Sequence, residues 1–368
     1  IEIQQLDSKQ RMVNKKIICM KLNKLYLGLI FLSTVLISCE NQDNDFPDFD
    51  YQTVYFASQY PDRTLQLGND NFFDLTLDNQ HKVLIKATMG GVRANKKNRI
   101  IDFEIANSLC DNLYFVDKNR PVIPMPANYY ELASNQIIIP SGSESGGVEV
   151  KLTEAFFADP QSLTTNYVIP LLMTEVHGAD SILRGLPANT DPAFIPDRCI
   201  GSDWIIAPKD YVLYGIKYVN PWHGVYLRRG VDKISRNDGT VETNIRHKQY
   251  VEYDEEVNIY TNSLNQARLP LSVKDNVGKD IPYNLILNFK NYTKDDQKHE
   301  CTITTDSDDF SITGVGKFET KGEKNSIGGE DRDALYIEYT VDFKKLNCKY
   351  EVLSLIHISE PTRRVVIS

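Results

Sequence analysis

The chain has 368 residues, with 50 acidic side chains against 41 basic ones and a formal net charge of -9. No long basic run occurs, so a nucleic-acid backbone is excluded as an expected partner. With both ends set aside, roughly 310 residues remain, more than one hydrophobic core usually serves, so two domains are expected.

The reading frame opens on Ile1, and its first start residues are Met12 and Met20. Residues 1–19 therefore read as translated upstream sequence. From Met20, Lys21 and Lys24 make a basic segment and residues 25–37 an apolar one. That run is shorter than the about 20 apolar residues of a membrane-spanning helix and fits a secretory signal. Leu36-Ile-Ser-Cys39 follows, with small Ser38 before the bond to be cut and a thiol to take a lipid. The order of these parts resembles the lipobox of bacterial lipoproteins. The resemblance implies a signal peptide over 20–38, lipidation at Cys39 and anchoring in the outer membrane. Residues 39–52 are polar and acidic and bury too little to offset their ordering entropy, so they form a flexible tether. Acidic residues directly after Cys39 also resemble the export signal of Bacteroidetes surface lipoproteins; a plain solvated linker remains the alternative.

From Thr53 the signal is short alternation broken by polar turns, the pattern of an all-β chain. In the stretch "HKVLIKATMGG", Val83, Ile85 and Ala87 share a face; in "RIIDFEIA", Ile101, Phe103 and Ile105 do. "NQIIIPSGSESGGVEVKL" reads as strand, Gly/Ser turn and strand, with Val148, Val150 and Leu152 aligned. No helix of three turns intervenes, which removes parallel βαβ folds. Residues 53–184 are thus expected to form an immunoglobulin-like sandwich. The Pro-, Asp- and Gly-rich stretch 185–208 reads as the linker. Over 209–352 consecutive strands with short turns fit an antiparallel meander closing into a barrel, with a second sandwich as the alternative. Gly224-Val-Tyr226 resembles the Gly-x-Trp first strand of lipocalins.

The end of the chain departs from this pattern. Leu353–Arg363 has neither strand alternation nor a helical stripe, and back-translates in frame onto a mosaic-end transposon adapter of sequencing libraries. Residues 353–368 are therefore expected to form no strand completing the second domain. Leu353–Ile358 can still extend the preceding strand by a few residues, because an unpaired edge accepts almost any extended chain, and a solvated tail is expected beyond Ser359. The consequence would be an open edge.

Motifs of chemistry are few. His81, His177, His223, His247 and His299 form neither HExxH nor a His-x-His pair, and no GxSxG elbow or Walker loop occurs. Asp306, Asp308 and Asp309 lack the glycine and terminal Glu of an EF-hand and read as a solvated turn. Cys110, Cys199, Cys301 and Cys348 allow three pairings; none stands in a CxxC pair, and buried thiols are the default. No metal, no cofactor and no enzymatic activity are expected. Aromatics are the better lead, because the chain has 20 Tyr and flat rings suit the C–H-rich faces of pyranoses. "KYVNPWHGVYLRRG" gathers Tyr218, Trp222, His223, Tyr226, Arg228 and Arg229. Tyr218, Trp222, Tyr226 and Arg228 are the candidate glycan-binding residues, against the alternative of a corner whose Trp is simply packed. Tyr250 and Tyr253, three apart on an expected strand, should face opposite sides.

Taken together, "CENQDND", "NYYELASNQIIIPSG" and "GIKYVNPWHGVYLRRG" resemble segments of Bacteroidetes surface lipoproteins with an adhesin-like sandwich and a C-terminal β domain. Many of these accompany starch-utilisation-type uptake systems. The resemblance implies non-catalytic capture of a polysaccharide or glycoprotein glycan at the cell surface, with an outer-membrane transporter complex as a further partner. A structural or host-binding adhesin, and a glycoside hydrolase or its accessory, are the alternatives.

Overall fold

A computed structural model describes residues 49–358 except 71–72, 117–119, 276, 291–295 and 347. The signal segment, Cys39 and the tail from 359 lie outside the described residues, as does the side chain of Cys348.

The first domain is a sandwich of two sheets. Its strands are β1 (Thr53–Tyr55), β2 (Asp62–Gln66), β3 (Lys82–Gly90), β4 (Arg99–Ile105), β5 (Tyr130–Leu132), β6 (Gln136–Ile139), β7 (Ser145–Leu152), β8 (Tyr167–His177), β9 (Ser181–Ile182) and β10 (Tyr211–Val219). One sheet has the order β9-β1-β3-β7-β5, the other β2-β10-β8-β4-β6, with the short segment Ile123–Pro124 pairing in parallel with β8. Period-two alternation places Val83, Ile85, Ala87 and Met89 of β3, and Val148, Val150 and Leu152 of β7, in one core with Ile101 and Phe103 of β4. Ile105, expected to share that face, is instead 37% exposed at the end of β4.

The domain boundary differs from the sequence expectation. The sequence reading places Tyr211–Val219 in the second domain, yet β10 lies between β2, which it pairs in parallel, and β8, which it pairs antiparallel. Its Val212, Ile216 and Tyr218 belong to the sandwich core. The boundary therefore falls at Asn220–Pro221. Nor is 185–208 a free linker. Leu186–Pro187 pairs with Trp204–Ile206, and Trp204 Nε1 donates to the Asp197 carbonyl at 2.7 Å. Arg198 Nη2 donates to Oδ2 of fully buried Asp210 at 2.9 Å, tying this excursion to the sandwich. Proline, aspartate and glycine here serve turns and not slack.

The second domain comprises β11 (Gly224–Arg236), β12 (Val241–Arg246), β13 (Glu255–Ser263), β14 (Gln266–Lys274), β15 (Asp280–Phe289), β16 (Lys298–Thr304), β17 (Ser311–Glu323), β18 (Arg332–Phe343) and β19 (Cys348–Ile358). Each strand from β13 to β19 pairs with the next, and β19 pairs back onto β11. Eight strands thereby close a barrel, with β12 continuing alongside β11. Alternation fills it: Leu335, Ile337, Tyr339, Val341 and Phe343 of β18 are buried, while Glu338 and Asp342 are exposed.

Residues 353–358 extend the preceding strand, as the sequence reading allows, but they also complete the barrel, which corrects it. They continue β19 in register with both neighbours, Ser354 opposite Gly230 on one side and Ile337 on the other. The edges of β11 and β18 both present unmet backbone donors and acceptors, so an extended segment between them is held by two ladders whatever its side-chain pattern. The barrel has no open edge there.

Asn220 fastens the two domains. Its buried side chain donates to the Ser263 and Gln266 carbonyls at 3.0 and 2.9 Å, and its backbone N–H donates to Thr261 Oγ1 at 3.0 Å.

Candidate functional site

The four residues singled out from sequence are all buried. Trp222 is fully buried in the barrel core, stacked on Phe289 with centroids 3.7 Å apart and planes 5° from parallel. Tyr226 is equally buried and donates its hydroxyl to the Trp222 carbonyl at 2.8 Å. Tyr218 belongs to the other core, its hydroxyl donating to the Phe157 carbonyl at 2.9 Å. Arg228 is 6% exposed. None offers a face to a ligand from solvent, and Tyr218 does not share a core with the other three. The packing alternative describes this stretch. The hydroxyls of Tyr218 and Tyr226 are satisfied by backbone carbonyls, as buried tyrosines require.

What β11 does position is a loop. β12 ends with Arg246 opposite Gly230, and β13 begins with Glu255 opposite Arg228. Residues 247–254 therefore leave the sheet and re-enter it almost where they left, the geometry of an Ω-loop on a rigid scaffold. Asp254, 7% exposed, anchors the return. Its carboxylate accepts from Arg229 Nη2 at 2.6 Å, Arg229 Nε at 2.7 Å and the Lys248 N–H at 2.7 Å. Between these anchors Val251–Tyr253 forms a 3₁₀ turn, with the Tyr253 N–H donating to the Tyr250 carbonyl at 3.1 Å.

That turn brings Tyr250 and Tyr253 together. Residues three apart on a strand diverge, whereas in a 3₁₀ turn they eclipse. The two rings lie 6.1 Å apart at 75°, and the residues are 53% and 67% exposed. The expectation that they face opposite sides is corrected. The clue in the sequence was "HKQYVEYDEE", whose polar run breaks strand alternation on either side of the tyrosines.

Beneath the loop lies a network of paired charges. Arg228 Nη1 donates to Glu255 Oε2 at 3.1 Å and its Nη2 to the Tyr339 hydroxyl at 3.3 Å. Tyr283 and Tyr339 share a hydroxyl contact of 3.3 Å, and Arg246 holds Asp232 in a two-pronged pair at 2.7 and 2.8 Å. Burial pushes the Tyr283 and Tyr339 hydroxyls up, so both stay neutral. Arg228, Arg229 and Arg246 are matched by Asp232, Asp254 and Glu255. The base is thus rigid and close to neutral, and the tyrosine pair stands exposed beside it. Such rings offer broad amphipathic contact at low conformational cost.

Cys110 and Cys301 follow the default reading of buried thiols, whereas Cys199 is half-buried. Cys110, Cys199 and Cys301 are free thiols, with Cys110 pushed up to about 11 and Cys301 to about 12 by burial.

Comparison with known proteins fits this architecture. A protein of unknown function from Bacteroides ovatus is 50% identical, with a TM-score of 0.77 over 84% of this chain and 95% of its own. The chain belongs to the same family. Within it, residues 221–357 match a domain of unknown function (DUF5627) and 49–180 match a family model described as an N-terminal domain. The DUF5627 match begins at Pro221, where the barrel begins, and runs through most of β19. An auxiliary nutrient binding protein from Bacteroides thetaiotaomicron is similar at 12% identity and a TM-score of 0.37, over 75% of this chain and 82% of its own. No curated protein matches.

Proposed function

We propose that this family member is a non-catalytic glycan-binding protein, held at the outer cell surface by lipid at Cys39, and that the Tyr250–Tyr253 loop makes its sugar contact. One observation carries the reading: two exposed tyrosines on a turn anchored at Asp254, above a base whose charges are already paired. Neutral, hydroxyl-rich ligands suit the paired rings, because the arginines and carboxylates of the base are already matched to one another. Glu252, Gln249 and Lys248 flank the rings with hydrogen-bonding groups for hydroxyls.

Affinity electrophoresis of the full chain through gels containing a panel of polysaccharides tests the proposal. Retardation without released product is expected. Released oligosaccharide would favour a glycosidase, and indifference to every glycan together with self-association or host-protein binding would favour an adhesin. For the anchor, Cys39→Ala should yield an unprocessed precursor or a soluble product; a mutant still partitioning into detergent with an unchanged amino terminus would refute it.

A further inference from the structure

A second cluster lies far along the chain from the tyrosine loop, on the outer face of the sandwich. Asp102 of β4 stands directly opposite Glu175 of β8, and His177 lies two residues further on the same strand. Residues two apart on a strand share a face. A bulge makes this arrangement. Phe103 pairs with Met173 while Asp102 pairs with Glu175, so Thr174 is an extra residue between them. Up to Met173 the odd-numbered residues of β8 are buried; beyond the bulge Val176 packs on the core, and Glu175 and His177 are exposed. The inserted residue flips the register and turns these two ligand-type side chains outward beside Asp102.

The three groups already converge. His177 Nε2 lies 3.0 Å from Asp102 Oδ2, and one ligand atom from each of Asp102, Glu175 and His177 lies within 4.8 Å of the others. The second carboxylate oxygen of Asp102 accepts from Gln136 Nε2 at 2.7 Å, across the ladder from β6. That is the outer-layer partner that fixes a ligating carboxylate. Two carboxylates this close repel each other, and a divalent cation relieves the repulsion.

We propose that Asp102, Glu175 and His177 bind a zinc-class divalent metal ion. Calcium takes six to eight oxygen ligands, whereas one imidazole with two carboxylates and an open position is a set that zinc accepts. The open position faces solvent, where water or a ligand hydroxyl completes the coordination.

Calorimetric titration of the full chain with zinc chloride, and separately with calcium chloride, tests this. One saturable zinc site is expected, lost in Glu175→Gln/His177→Ala and weakened about tenfold in Gln136→Ala. These side chains sit on the outer face, so the metal-free variants should melt as the wild type does, which separates lost binding from lost folding. The proposal is overturned if zinc shows no saturable uptake, if the double variant takes up zinc as the wild type does, or if calcium binds more tightly than zinc.

Discussion

At the scale of single residues, Trp222, conspicuous in the sequence, serves the core. Trp222 sits in the barrel stacked on Phe289, and a Trp222→Ala cavity there should cost about 3–5 kcal/mol of stability in urea unfolding. The sequence shows that Trp222 sits in a corner, but not which way the ring turns. His299 carries a pH signature. It is 5% exposed, its ring 6.3 Å from that of Trp222, and burial pushes its imidazole below the usual range. As pH falls past about 6.5 the unfolded chain therefore takes up the proton first, and stability is lost from there down to the folded-state value. His81 and His223 are shifted in the same direction, also by burial. Thermal melts at about pH 7.5 and pH 5.5 should show the protein less stable in acid, with a shallower dependence in His299→Phe. An unchanged slope in that variant would place the titration elsewhere.

At the scale of elements, alternation was legible wherever one face of a strand is buried. In β3, β7 and β18 the inward residues can be read directly from the pattern. Two elements could not be read that way, because partners far along the chain decide them. β10 resembles any half-buried strand, and only its ladders to β2 and β8 assign it to the sandwich. A fragment ending at residue 208 should therefore fail to fold, whereas one ending at 219 should fold; circular dichroism of the two decides. β19 has no alternation past Val352 and is held by backbone pairing on both sides. Ser354→Pro, which disrupts a ladder in mid-sheet, should lower the melting temperature, and a shortened chain ending at Val352 should lower it further. Unchanged melting in both would mean that the barrel does not depend on this strand.

At the scale of the whole molecule, the all-β plan, sheets followed by a closing meander, was visible in turn spacing and the absence of long helical periodicity. The candidate site was not. It depends on residues 247–254 leaving the sheet at Arg246 and returning at Glu255, which requires knowing that Gly230 and Arg228 are their partners. Only the 3₁₀ turn then brings Tyr250 and Tyr253 together. Each ring is a contact of about 0.5–1.5 kcal/mol, so losing both amounts to about fivefold to about 150-fold in affinity. The decisive measurement is calorimetry with a polysaccharide that retards the wild type, repeated on Tyr250→Ala/Tyr253→Ala. Binding weakened by about that factor, with an unchanged melting temperature, is the predicted result. Undiminished affinity in the double variant would contradict the account.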